Sequence, residues 1–207
     1  MRVFVLCTGR SGSTAFVKAC QHIDNFTAGH ETNAKVIGKK RFSYPDQHIE
    51  VDNRLSWFLG TLDEKFNPNK TLYVHLRRDL EETVNSFMRR FKRRGSIVSA
   101  FARGVYMTPI PFLDDAERRQ VCIDYVNAVN KNIELFLENK PNKMEIHLDR
   151  IKEEFPEFLE RIDAEVDLED CLNTFDVKHN NASQQKNFWP KYELKILAAR
   201  VRRAFSN

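Results

Sequence analysis

The run Cys7-Thr8-Gly9-Arg10-Ser11-Gly12-Ser13-Thr14 collects two glycines, four hydroxyls and one guanidinium within eight positions. Glycine turns expose backbone N–H groups, hydroxyls add directional donors, and an arginine adds fixed positive charge. Together these are what a phosphate or sulfate group needs for binding. A plain tight turn capped by Ser13 would need none of the arginine and few of the hydroxyls. The chemistry to expect from this loop is therefore the holding of an anion. Cys7 opens the run, but it has no neighbouring His or Arg pattern that would draw out a thiolate, and it reads as the buried end of a strand.

The elements that must position the loop follow from hydrophobic spacing. Val3 to Cys7 is a short apolar run suited to a strand buried on both faces, and Phe16, Ala19, Cys20 and Ile23 then recur at helical spacing. The opening unit is strand, glycine loop, helix. Val51, Leu55, Phe58, Leu59, Leu62 and Phe66 predict a second helix, ended by Asn67-Pro68-Asn69. Thr71 to Leu76 reads as the second strand and Met144 to Leu148 as the third. Helices are expected from Glu81 to about Arg94, through Cys122, Tyr125, Val129, Ile133 and Phe136 up to Pro141, from about Asp149 to Ile162, and from about Pro190 to Phe205. Strands alternating with helices predict an α/β fold: three layers, a central parallel sheet flanked by helices, in a single domain spanning 1–207, with ligands at the carboxyl ends of the strands.

Three families place an anion-binding loop after such a strand, and single residues separate them. A Walker A loop aligned on Gly12 would require Gly at Cys7 and Lys at Ser13. The opening Val5-Leu6-Cys7-Thr8-Gly9 looks like a low-molecular-weight tyrosine phosphatase, whose Cys-x5-Arg pattern requires Arg where Ser13 stands. Gly9-Arg10-Ser11-Gly12-Ser13-Thr14 instead resembles, without a gap, the R-S-G-[ST]-[ST] form of the 5′-phosphosulfate loop of sulfotransferases that use 3′-phosphoadenosine 5′-phosphosulfate (PAPS). The resemblance implies a P-loop sulfotransferase-like fold, PAPS as sulfuryl donor and 3′-phosphoadenosine 5′-phosphate (PAP) as product. It also implies that Gly9, Arg10, Ser11, Gly12, Ser13 and Thr14 hold the phosphosulfate.

The same family closes a later strand with an Arg and places a Ser eight residues on, and Arg78 and Ser86 have that spacing after Thr71 to Leu76. The resemblance implies that this pair holds the 3′-phosphate, for which a planar guanidinium fork and a hydroxyl are suitable donors. Leu80 departs from the proline often found between them. Branches carrying this loop place a Glu about twenty residues downstream, which makes Glu31 the expected general base, with His30 beside it as the second choice and Arg10 neutralising charge in the transfer. Ser183 and Lys186, in a C-terminal loop that this family folds over the nucleotide, are further expected cofactor contacts. The family's transfer is metal-free, and no His, Cys or carboxylate spacing here suggests metal ligands. His75 and His147, inside expected strands, read as core groups.

Composition bounds the rest. With 42% hydrophobic and 30% charged residues, seven Gly and seven Pro, the chain is neither disordered nor collagen-like. No apolar run reaches the ~18 residues of a membrane span, the start carries no secretory pattern, and Cys7, Cys20, Cys122 and Cys171 form no CxxC pair, so reduced thiols in a cytoplasm are expected. From Arg77 to Arg103 eight Lys and Arg face three acids, while Glu145 to Asp170 carries eleven acids. Such polarity favours an anionic ligand. Two other readings stay open: a nucleotide or small-molecule kinase with a degenerate P-loop, and a non-enzymatic polyanion binder acting through Arg89-Arg90-Phe91-Lys92-Arg93-Arg94. One aromatic in that stretch gives little base stacking, so nucleic acid is not the expected partner. The expected acceptor is a small molecule or a glycan, bound by Asn33 to Ser56 and Ser96 to Asp114, with Phe101, Tyr106, Met107 and Phe112 assigned to the core.

Overall fold

The computed structural model describes residues 1–93 and 95–177, which fall into two compact units. The first holds Met1–Asp79 and the described residues from Ala128 onward; the second is Leu80–Asn127. In the first unit five parallel strands, β1 (Arg2–Leu6), β2 (Thr27–His30), β3 (His48–Val51), β4 (Thr71–Arg77) and β5 (Lys143–His147), form one sheet in the order β2-β3-β1-β4-β5. Val5 aligns with Val51 of β3 on one side and with Val74 of β4 on the other. The chain thus runs from β1 to the edge strand β2, returns to place β3 beside β1, and then crosses to β4 and β5 on the opposite side. In an open parallel sheet that reversal leaves a crevice beyond the carboxyl end of the central strand, and the glycine loop follows β1 into it.

Side chains alternate along each strand, so the sheet has two different faces. Val3, Val5, Ile49, Val51, Val74 and Ile146 build the larger apolar core. Against it pack α1 (Ser13–Cys20) and α6 (Ile151–Arg161), with Phe16 in edge contact with Phe155 at 5.3 Å and tilted against Phe158 at 5.2 Å. The opposite face carries Phe4 and Tyr73, covered by Tyr44, Phe66 and Phe136. The third layer on that face includes α2 (Leu59–Lys65) and the end of α5 (Asp115–Leu137). An eight-residue helix such as α1 is too short to hold itself in water. Burial of Phe16, Val17, Ala19 and Cys20 on the sheet therefore fixes α1, and with it the amides of its first turn. In the second unit α3 (Leu80–Met88), α4 (Ile97–Gly104) and the start of α5 gather on Tyr125, which meets Phe87 at 5.4 Å and Phe101 at 5.6 Å. α7 (Leu168–Asn173) follows α6 in the first unit. Among the described residues no helix is long and apolar enough to cross a membrane.

The α/β architecture with a central parallel sheet is as expected, but several elements differ. Among the described residues five strands are present where three were expected. Val51 belongs to β3, Leu55 sits in a single 3-10 turn, and the helix covers only Leu59–Lys65. The apolar positions from Val51 to Phe66 match helical spacing by coincidence, because every second residue of His48-Ile49-Glu50-Val51-Asp52 is apolar and the charged alternates are buried too. β2 escapes detection because Thr27-Ala28-Gly29-His30 contains no apolar run. α3 stops at Met88, short of Arg94, and α6 begins at Ile151 after a 3-10 turn. His147 is not a core group: it ends β5 with its side chain 30% exposed, paired with Glu145 and Glu154. Met107 is 86% exposed and Tyr106 is exposed, whereas Phe101 is buried as expected. The expected helix from Pro190 to Phe205 lies outside the described residues.

Candidate functional site

Parallel strands bring their carboxyl ends to one edge, and that edge gathers the expected residues of the first unit. The loop after β1 turns through left-handed backbone at Gly9 (φ 77°), Arg10 (φ 61°) and Gly12 (φ 90°). Two of these positions need glycine for contact as well as conformation: a Cβ on Gly12 would overlap the Leu148 side chain, and one on Gly9 would meet Asn53 Nδ2 at 3.0 Å. Arg10 has no such exemption and stores backbone strain of about 1–3 kcal/mol. Successive turns of this kind fold backbone N–H groups into a concavity. Gly12 then caps α1 with no side-chain hydrogen bond, and the first turn of the helix contains no acid. Ser11 Oγ is buried beside the Cys7 thiol and has no partner at hydrogen-bond distance among the described residues. A buried hydroxyl left without a partner costs about 1–3 kcal/mol, and an anion seated in the loop would supply the acceptor.

Neighbouring strands brace this cradle. Arg78, just beyond β4, donates from Nη1 to the Arg10 carbonyl at 3.2 Å. Ser56 Oγ donates to the Cys7 carbonyl at 3.2 Å. His30, the last residue of β2, places Nε2 at 3.2 Å from Ser13 Oγ. Cys7 itself is fully buried, and burial pushes its thiol up to about 11, which removes it as a nucleophile at neutral pH. Ser86 lies on α3 in the second unit and is buried. Ser183 and Lys186 lie outside the described residues.

Glu31 follows β2 in a left-handed conformation (φ 52°), its N–H donating to the Val51 carbonyl at 3.1 Å. Its Oε2 pairs with Arg54 at 2.6 Å, and its Oε1 has no partner among the described residues. The turn is held from below: Thr32 N–H donates to Glu50 Oε1 at 2.8 Å, and Glu50 Oε2 meets His48 Nε2 at 3.1 Å. Asp52 Oδ1 accepts the Arg54 backbone N–H at 2.8 Å, while its Oδ2 pairs with the buried Arg41. Burial is the largest influence on Asp52 and raises its pKa, with Arg41 offsetting part of the cost. A separate cluster ends β4 and β5, where Arg77 bridges Glu134 at 3.0 Å and Glu145 at 3.2 Å. His75 beneath it bonds Asn130, and burial lowers its pKa. Among the described residues no group of three or more His, Cys, Asp or Glu side chains could hold a metal ion.

The structure thus brings together the loop, His30, Glu31 and Arg78. Sequence reasoning missed Arg54, Asp52, Glu50 and Arg41. The signal that could have found Glu50 and Asp52 is the period of two in His48-x-Glu50-x-Asp52, charged residues alternating with Ile49 and Val51 on a strand whose both faces are buried; Arg41 and Arg54 carry no such signal.

No protein-family model matches the sequence, and no curated protein matches it. The fold does match a solved structure: the crystal structure of mouse sulfotransferase SULT7A1 complexed with PAP, with a TM-score of 0.59 over 96% of this chain and 82% of that one. At 9% sequence identity the likeness is one of architecture, and it makes this a sulfotransferase-like α/β fold.

Proposed function

We propose that this chain is a sulfotransferase that moves a sulfuryl group from PAPS to a hydroxyl or amine of a small-molecule or glycan acceptor, with 1–207 acting as one catalytic domain. The observation that carries the reading is the loop itself. A left-handed turn at the sheet's switch point opens a helix with no side-chain cap and leaves the Ser11 hydroxyl buried, with no partner at hydrogen-bond distance among the described residues, which suits a bound anion. The fold shared with a sulfotransferase complexed with PAP supports the choice of donor. The four free cysteines, all buried, suit a reducing cytoplasm.

Gly9, Arg10, Ser11, Gly12, Ser13 and Thr14 hold the phosphosulfate through backbone amides, hydroxyls and the guanidinium. Arg78 holds the 3′-phosphate; Ser86, Ser183 and Lys186 are the further nucleotide contacts that the resemblance implies. When bound, PAPS supplies the sulfuryl group that the acceptor takes. Glu31 receives the acceptor proton at Oε1 while Arg54 fixes Oε2, and His30 orients Ser13 or substitutes as base. Arg10 and the loop amides neutralise the charge that grows on the leaving oxygen. No metal takes part.

Calorimetric titration with PAP in the absence of magnesium tests this on the wild type and Arg78→Ala. Magnesium-independent binding, weakened about tenfold or more by the mutation, is expected. Glu31→Gln should keep that binding and lower turnover. Preference for ATP with magnesium would replace the reading by a kinase, and no nucleotide binding would leave the polyanion binder.

A further inference from the structure

A second cation stands at the carboxyl edge of β3, apart from the loop and Arg78. Arg54 Nη1 makes both of its side chain's polar contacts, with Glu31 Oε2 at 2.6 Å and Asn53 Oδ1 at 3.4 Å. Nε and Nη2 have no partner among the described residues. A guanidinium presents five N–H donors in a fixed fork, so most of this one's capacity is unused among the described residues.

Its position is closely specified. The Arg54 backbone is tied to Asp52, which is fully buried and held by Arg41, which in turn contacts Tyr44 Oη at 3.1 Å. A buried ion pair is a poor source of stability, because desolvation consumes much of its attraction. What this pair visibly achieves is to fix the turn that presents Arg54. The side chains of Arg54 and Glu31 are 34% and 33% exposed, so an anion reaching them would be partly withdrawn from water, where charge-assisted hydrogen bonds are strongest.

Glu31 Oε1 lies one carboxylate width from the oxygen that Arg54 holds. An acceptor hydroxyl giving its proton to Oε1 is therefore seated beside the unspent fork. We propose that Arg54 is the acceptor's anion-binding site, so that the acceptor is a hydroxyl compound carrying a carboxylate, sulfate or phosphate close to the reacting oxygen. This rests on the sulfotransferase reading with Glu31 as base. A neutral acceptor would leave the fork to water.

The test is calorimetry on the full chain, with and without saturating PAP, using matched acids and amides: lactate and lactamide, glucuronate and glucuronamide, ortho-hydroxybenzoate and ortho-hydroxybenzamide. At least one acid should bind about tenfold or more tightly than its amide. Arg54→Gln should erase that preference and Arg54→Lys should keep part of it. Glu31→Gln, which removes the fork's internal competitor, should strengthen acid binding, an outcome that mere support of the fold would not produce. Failure of every acid to bind, or a preference that survives Arg54→Gln, overturns the proposal. PAP binding without acid preference leaves the sulfotransferase reading standing and removes this one. Arg54-dependent acid binding without PAP binding does the reverse: it keeps the anion site and removes the sulfotransferase.

Discussion

Gly12→Ala should damage the molecule twice, by amounts that can be separated. At φ 90° an L-residue costs about 1–2 kcal/mol relative to glycine. Its Cβ would also overlap the side chain of Leu148, just past β5, and overpacking of this kind costs about 1–3 kcal/mol. The sum, about 2–5 kcal/mol, is a large part of the ~5–15 kcal/mol that holds a typical domain together. Leu148→Ala in the Gly12→Ala background removes the overlap and leaves the dihedral cost. Urea denaturation of the wild type, both single variants and the double variant gives the coupling between the two positions, expected at about 1–3 kcal/mol in favour of the double variant. PAP titration on the same four proteins should show that both Gly12→Ala proteins bind weakly, because the loop amides are displaced whether or not Leu148 yields. Single effects that add to within ~0.5 kcal/mol would show that the helix start does not pack on Leu148, and would refute the account of why glycine stands there.

Arg10→Gly should leave stability within about 1 kcal/mol of wild type, since relief of the left-handed strain offsets the flexibility gained, while PAP affinity falls about tenfold or more; a loss of stability with unchanged affinity would make Arg10 a structural residue. Cys7, at about 11, and Cys122, at about 12, should resist a thiol-reactive reagent at about pH 8 in the folded protein, and para-nitrophenyl phosphate should not be hydrolysed; rapid labelling of Cys7 would reopen the phosphatase reading. His75 has a lowered pKa through burial, so below about pH 6.5 the unfolded chain binds a proton that the folded one does not, and stability falls as pH drops towards the folded value. Urea midpoints at about pH 7 and 5 should therefore separate more for wild type than for His75→Gln, and equal separations would show that His75 does not carry this dependence.

The sequence by itself determined the strand-loop-helix opening and the glycine loop that is proposed to hold the anion. A glycine turn between an apolar run and a helical pattern is a local arrangement, and its φ requirements and hydroxyls are written in consecutive residues. It likewise determined Thr71 to Leu76 as a strand, because a strand buried between layers is apolar at nearly every position, and Met144 to Leu148 by alternation, because this edge strand buries Met144 and Ile146 and exposes Glu145. The placement of Arg78 at the strand's end followed from the first of these.

β2 and β3 were decided only in three dimensions. β2 has no buried position, and the buried positions of β3 and of Asp52 just after it hold His, Glu and Asp, which local propensity assigns to loops; those groups are tolerable inside only because each finds a partner from a distant segment: Thr27 for His48, Thr32 for Glu50, Arg41 for Asp52. Arg54 is invisible for the same reason. In the chain it is one arginine among many, and its proximity to Glu31, twenty-three residues earlier, exists because β2 pairs with β3 in parallel register and delivers both strand ends to one edge. The folded sheet also decided that Glu31 takes a left-handed turn, which no residue type at that position announces. Chemistry carried by neighbours along the chain could be read directly; chemistry assembled from strand ends required the register that only packing supplies.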